Sequence, residues 1–186
     1  MMKKWLLMGM LTVTMPAMAA DMAQLKQEGR SIAKQFLGEL KPELQRAMKS
    51  GGPVHAIEVC HKKAPQITAE LTEKTGWDLK RTSLKVRNPE NAPDTWEKAV
   101  MEKFVQQRAQ GVSPKQLEYA EVVTENGKQV FRYAKAIPTG KVCVVCHGAH
   151  VAKPVREKIK VYYPHDQATG FKPGDIRGIF SFKKPL

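Results

Sequence analysis

The chain has 186 residues, with 31 Lys and Arg against 18 Asp and Glu and a formal net charge of +13. That length suits one domain with a real core. The charge favours acidic partners or anionic surfaces, and the absence of a basic–aromatic motif argues against nucleic acid.

Met1-Met2-Lys3-Lys4 is a charged start, Trp5 to Thr14 a short apolar run, and Pro16 to Ala20 ends in small residues. The pattern reads as a secretory signal over residues 1–20, cleaved near Ala19 or Ala20, with an uncleaved amphiphilic anchor as the alternative. The run is short of the roughly 20 apolar residues a membrane span takes, and no later stretch is long enough. Losing Lys3 and Lys4 would take the formal charge from +13 to +11. The expected address is the periplasm.

Asp21 to Ser50 reads as a helical segment, extending over residues 21–52. Leu25, Ile32, Phe36, Leu40 and Leu44 make an apolar stripe near the 3.6 period. Pro42 is expected to kink or split it, and Ser50-Gly51-Gly52-Pro53 to break it. A second helix starts near Val54, with Ile57, Cys60, Ala64, Ile67 and Leu71 on one face. Gly76 ends it. Trp77 to Leu84 alternates weakly and reads as a strand. Arg87 to Pro93 is a loop by its Asn and Pro content. Asp94 and Glu97 have capping-box spacing before a helix that stops near Gln110-Gly111. Leu117 to Thr124 and Gln129 to Ile137 are strands joined at Asn126-Gly127, the strongest short-range hairpin signal. Val155 to Tyr163 is a short helix, Pro164 to Gly174 turn-rich, and Ile176 to Phe182 a closing strand. The fold class is α+β: helices first, then a small antiparallel sheet with residues 143–147 on a loop.

Cys143-Val144-Val145-Cys146-His147 is a C-x-x-C-H, the spacing of c-type haem attachment. Two nearby thiols can add to the two vinyl groups of one porphyrin, and the histidine after the second lies where its imidazole can ligate iron. Cys143 and Cys146 are thus assigned to thioether bonds and His147 to the proximal ligand. Structural zinc sites usually want four Cys or His ligands, and the third cysteine, Cys60, is far away in sequence. A thioredoxin-like C-x-x-C belongs beside a βαβ pattern that is lacking here, and a Cys143–Cys146 disulfide leaves His147 unexplained. Export agrees with thioether attachment outside the cytoplasm.

Cys60 on its helix stripe reads either as a small core residue or as a second axial ligand. An odd cysteine in an exported protein asks for a reason, and a haem needs a second ligand or an open site. Other axial candidates are Met22, Met48 and Met101, which read as terminus or packing residues, and His55, His61, His150 and His165, of which His165 is the best rival. Haem propionates need cationic partners, and arginine suits planar carboxylates. Arg81 and Arg87 are the candidates, set against a structural salt bridge within the 87–97 loop.

Several blocks together carry a family likeness: Glu58-Val59-Cys60-His61-Lys62-Lys63-Ala64-Pro65, the run from Arg81 to Glu97, Cys143 to Gly148, Tyr163 to Phe171, and Gly174-Asp175-Ile176-Arg177-Gly178. In their order and spacing the chain resembles, over residues 55–182, a family of bacterial single-haem c-type domains catalogued as of unknown function. The resemblance implies a PAS-like fold over residues 53–186 and an unusual Cys–His axial pair, here Cys60 and His147. The function expected is redox sensing or electron transfer with one covalent, low-potential haem c, serving an unidentified, acidic redox or signalling protein. A sensor or binder of a small gas such as NO or CO is the alternative. A peroxidase-like enzyme needs an open distal position that Cys60 would fill, so an enzyme is not the favoured reading.

Overall fold

We describe the protein from a computed structural model covering residues 15–186, with side chains from Asp21 onward. The charged start and apolar run of the expected signal lie outside the described residues. Among the described residues no helix is long and apolar enough to cross a membrane.

Helix α1 spans Met15–Thr75 and is broken once, at Gly52, whose φ of 67° and ψ of −166° are not helical. The expected break is therefore present, because a positive φ costs glycine little and Pro53 then opens the second limb with its φ already set. The expected division at Pro42 does not occur: helical backbone continues through it. Its missing N–H costs one bond of the ladder, while buried Phe36 and Ala47 on either side hold the helix to the core.

Four strands follow: β1 Asp78–Thr82, β2 Glu118–Glu125, β3 Lys128–Pro138 and β4 Ile176–Pro185. They form one antiparallel sheet in the order β1-β4-β3-β2. The molecule is thus α+β, as its alternation patterns imply.

Side chains alternate across the sheet, and each face has its own helix. Leu79, Phe131, Tyr133, Phe180 and Phe182 pack with Trp77 against Ile32, Phe36, Ile67 and Leu71 of α1, so both limbs share one core. Ala134, Ala136, Ile176 and Ile179 pack against Val100, Met101 and Phe104 of α2, Thr95–Ala109. The Asp94–Glu97 capping box forms. Glu97 is 1% exposed and ion-paired to Lys80 at 2.9 Å. Arg132 lies 4.2 Å over the Trp96 ring and reaches Asp94 at 2.7 Å. These contacts fix the start of α2 on the sheet.

Helix α4, Lys153–Tyr162, buries Val155 and Ile159 against Ile57 of α1, with Cys146 beside them. This contact places the second limb of α1 against the segment that carries the cysteine motif.

Candidate functional site

The motif is a single helical turn rather than the expected open loop: α3 spans Val144–His147. Its bonds run from His147 N–H to the Cys143 carbonyl, 2.9 Å, and from Gly148 N–H to the Val144 carbonyl, 2.9 Å. Helical spacing puts residues three and four apart on one side. Cys143, Cys146 and His147 stand at i, i+3 and i+4 and so share a face. All three cysteines of the chain are free thiols and half-buried.

His147 is held by a carbonyl. Its Nδ1 lies 2.8 Å from the Ala168 carbonyl oxygen, and the Arg177 Nε is 3.2 Å from the same nitrogen. One nitrogen cannot donate and accept through the same position. The carbonyl can only accept, so Nδ1 carries the hydrogen and Arg177 is a neighbour rather than a donor. Nε2 is left with a lone pair, the tautomer a metal ligand requires. Burial, followed by the Arg177 and Arg87 guanidiniums, pushes the imidazole pKa down to about 2. His147 is therefore neutral at ordinary pH.

The Ala168 carbonyl is itself positioned. Asp166 accepts the Ala168 N–H at 2.9 Å. Arg87 grips both Asp166 oxygens, through Nε and Nη2 at 3.0 Å each. The same Nη2 donates to the Cys146 carbonyl at 2.7 Å and reaches the Ala168 carbonyl at 3.3 Å. Two backbone bonds finish the clamp: Gly170 N–H to the Gly148 carbonyl, 3.0 Å, and Phe171 N–H to the His147 carbonyl, 2.9 Å. Arg87 thus takes its carboxylate from Asp166, not from the 87–97 loop considered above.

Cys60 comes to this place from the second limb of α1. Burial pushes its thiol pKa up, opposed by the Arg81 guanidinium and reinforced by the nearby Cys146. Arg81 lies 4.7 Å over the Phe36 ring, and burial lowers its guanidinium pKa. Arg177 is lowered to about 10 by burial and then by Arg87 and Arg81. Three guanidiniums therefore surround His147 with one carboxylate, Asp166, to balance them. Among the described residues neither Arg81 nor Arg177 forms an ion pair with a carboxylate, and residues 1–20 contain no Asp or Glu. A site with that much uncompensated positive charge suits a ligand carrying carboxylates.

The histidine rivals lie elsewhere or are engaged. His55, His150 and His165 are exposed. His61 is stacked on Tyr162, centroids 4.3 Å apart, with Nδ1 2.9 Å from the Tyr163 hydroxyl. Met101 is buried in the α2 core, and Met22 packs at the edge of the α1 core. Among the described residues no group of three or more His, Cys, Asp or Glu could hold a bare metal ion. Asp166 and Ala168 belong to the site without having been singled out from sequence; Arg177 stands with Arg81 and Arg87 among the arginines of the family-like blocks but outside the two favoured for propionates. Asp166-Gln167-Ala168 is an Asx turn, a local signal that marks geometry but not its distant partner.

The family model described as Tll0287-like matches residues 9–185. Among solved structures, the crystal structure of the cyanobacterial haem-protein Tll0287 is similar to this chain, with a TM-score of 0.63. The likeness covers 90% of this chain and 96% of that one at 22% identity, a level that speaks for the fold. A comparison with curated proteins finds no match.

Proposed function

We propose that this chain, which belongs to the Tll0287-like family, is an exported c-type haem protein acting in redox sensing or electron transfer. The observation that carries the reading is the His147 side chain. It is neutral, its Nδ1–H is committed to the Ala168 carbonyl, and it stands on the same turn as two free thiols. The residues present fit a haem in three further ways. Cys60 brings a sulfur from the facing helix. The surplus charge of Arg81 and Arg177 suits two propionates. The helix that carries Cys60 also packs Ala64, Ile67 and Leu71 into the apolar core of the sheet, which supports a PAS-like arrangement.

Under this reading Cys143 and Cys146 would carry the thioethers, and His147 Nε2 and Cys60 would be the side chains that hold the iron. Arg81 and Arg177 would face the propionates, and Arg87, with Asp166 as its partner, holds the motif in place. A haem bound there supplies a one-electron ferric/ferrous couple, and a thiolate donor favours the ferric form and a low potential. The arrangement of domains proposed is a signal over 1–20, a helical segment over 21–52 and the haem domain over 53–186. Gly52 falls at that last boundary, while Ile32 and Phe36 tie the helical segment into the common core. The location is the periplasm and the partner an acidic redox or signalling protein.

The test is the chain matured with haem, denatured and run on a gel stained for haem. Haem should stay with the chain, and the Cys143→Ala and Cys146→Ala double variant should lose it. Haem extracted from the wild type by acidified solvent would overturn the covalent reading. Carbon monoxide binding to the ferrous form would favour the small-gas alternative, since it requires Cys60 to leave.

A further inference from the structure

An apolar groove of about 230 Å³ is lined by Leu84, Met101, Val105, Phe171 and Ile176. Leu84 and Val105 are 39% and 45% exposed, so the groove presents apolar side chains to solvent. The wall of the groove is wired to the site. Phe171 meets the His147 ring edge-on, centroids 6.4 Å apart, and its N–H donates to the His147 carbonyl.

Three cations stand at or beside the groove, with one carboxylate, Asp175, among them. Lys85 Nζ lies 5.2 Å from the Phe171 centroid and donates to the Thr169 carbonyl. Arg108 donates through Nε to the Gly174 carbonyl. Lys172 follows Phe171 and is exposed. Among the described residues none of these three cations is ion-paired. The nearby Asp175 carboxylate accepts the Lys172 backbone N–H and closes the local turn.

We propose that this groove is the docking face for an acidic protein partner, whose apolar contact residue seats against Leu84, Val105 and Phe171 inside a ring of Lys85, Arg108 and Lys172. An apolar centre with a charged rim is the usual build of a transient interface, and a mainly cationic rim steers an acidic partner. That the partner is an electron carrier rests on the haem reading above; the docking does not.

The probe is a synthetic decapeptide of glutamates flanking a central Leu-Phe pair, titrated into the full-length protein while amide shifts are followed by NMR. Shifts should centre on residues 83–85, 101–108 and 171–178. Lys85→Glu should weaken binding about fivefold or more, the scale of one charge pair reversed. Leu84→Ser, at an exposed position that cannot unfold the core, should weaken it severalfold, and added salt should weaken wild type more than Lys85→Glu. Shifts centred on the basic residues of α4, or equal affinity in both variants, would overturn the proposal. If the haem gel test fails while the shifts still map here, the docking face stands and the redox purpose falls. If haem is bound and the shifts map elsewhere, the docking face alone falls.

Discussion

Replacing Asp166 with Asn tests the clamp around His147 directly. The substitution keeps the side chain's size and an oxygen for the Ala168 N–H, and it removes only the charge. Arg87 then keeps a buried positive charge beside Arg81 and Arg177 with no counter-ion. Removing one partner of a buried ion pair costs about 3–5 kcal/mol. Here the side chains are 13% and 10% exposed, so partial solvation brings the expectation to about 2–3 kcal/mol. In a domain of this size that is a fall in Tm of about 5–10 °C. Thermal and denaturant unfolding of wild type, Asp166→Asn, Arg87→Gln and the double variant supply a cycle. The double variant should cost clearly less than the sum of the singles. A single-variant loss below about 0.5 kcal/mol, the scale of a surface pair, would refute the clamp, as would strict additivity.

Three further outcomes are expected. In the haem-loaded protein Cys60→Ala should remove a ferric thiolate-to-iron charge-transfer band and raise the midpoint potential; matching spectra would reduce Cys60 to core packing. The Arg30 guanidinium, with the Tyr133 hydroxyl, holds the Glu118 carboxyl at about 2 instead of 4.5. A depressed carboxylate gives stability that is full above about pH 4.5 and lost as pH falls towards 2. Arg30 is 48% exposed, so the loss is discounted to about 1–2 kcal/mol; equal pH 7-to-3 losses in wild type and Glu118→Gln would contradict it. Gly178→Ala would place a Cβ 2.2 Å from the Thr82 carbonyl oxygen. Strands β1 and β4 must part there, costing about 3 kcal/mol or more, and an unchanged Tm would show that the strands can give way.

What could be read from the sequence was what short-range physics decides. The Asp94–Glu97 box, the Asn126-Gly127 hairpin and the stripe through Ile57, Ala64, Ile67 and Leu71 depend on neighbours within a few residues. The helix is not split at Pro42 because its local penalty is outweighed by the packing on either side, with Phe36 in a core formed with distant strands and Ala47 buried. At the site, the motif spacing points to Cys143, Cys146 and His147, and the structure places Cys60, Arg81 and Arg87 near them, the roles proposed for all six resting on the haem reading. The partner of Arg87 was out of reach because Asp166 is 79 positions away. Arg177 stands in one of the family-like blocks, but what sets it apart from Arg87, the lack of an ion-paired carboxylate among the described residues, belongs to the fold.

The strand order has a consequence in time. Strand β4 is the last element in the chain, yet it lies inside the sheet, pairing with β1 on one side and β3 on the other. As a chain emerges from its N-terminus, α1 and the β2–β3 hairpin can form from local contacts, whereas β1 waits for Ile179 to Lys183 before it gains a neighbour. Residues 143–147 emerge before those strand residues. The thiols of the motif therefore emerge while the sheet is still incomplete, before strand β4 can pair with β1 and β3.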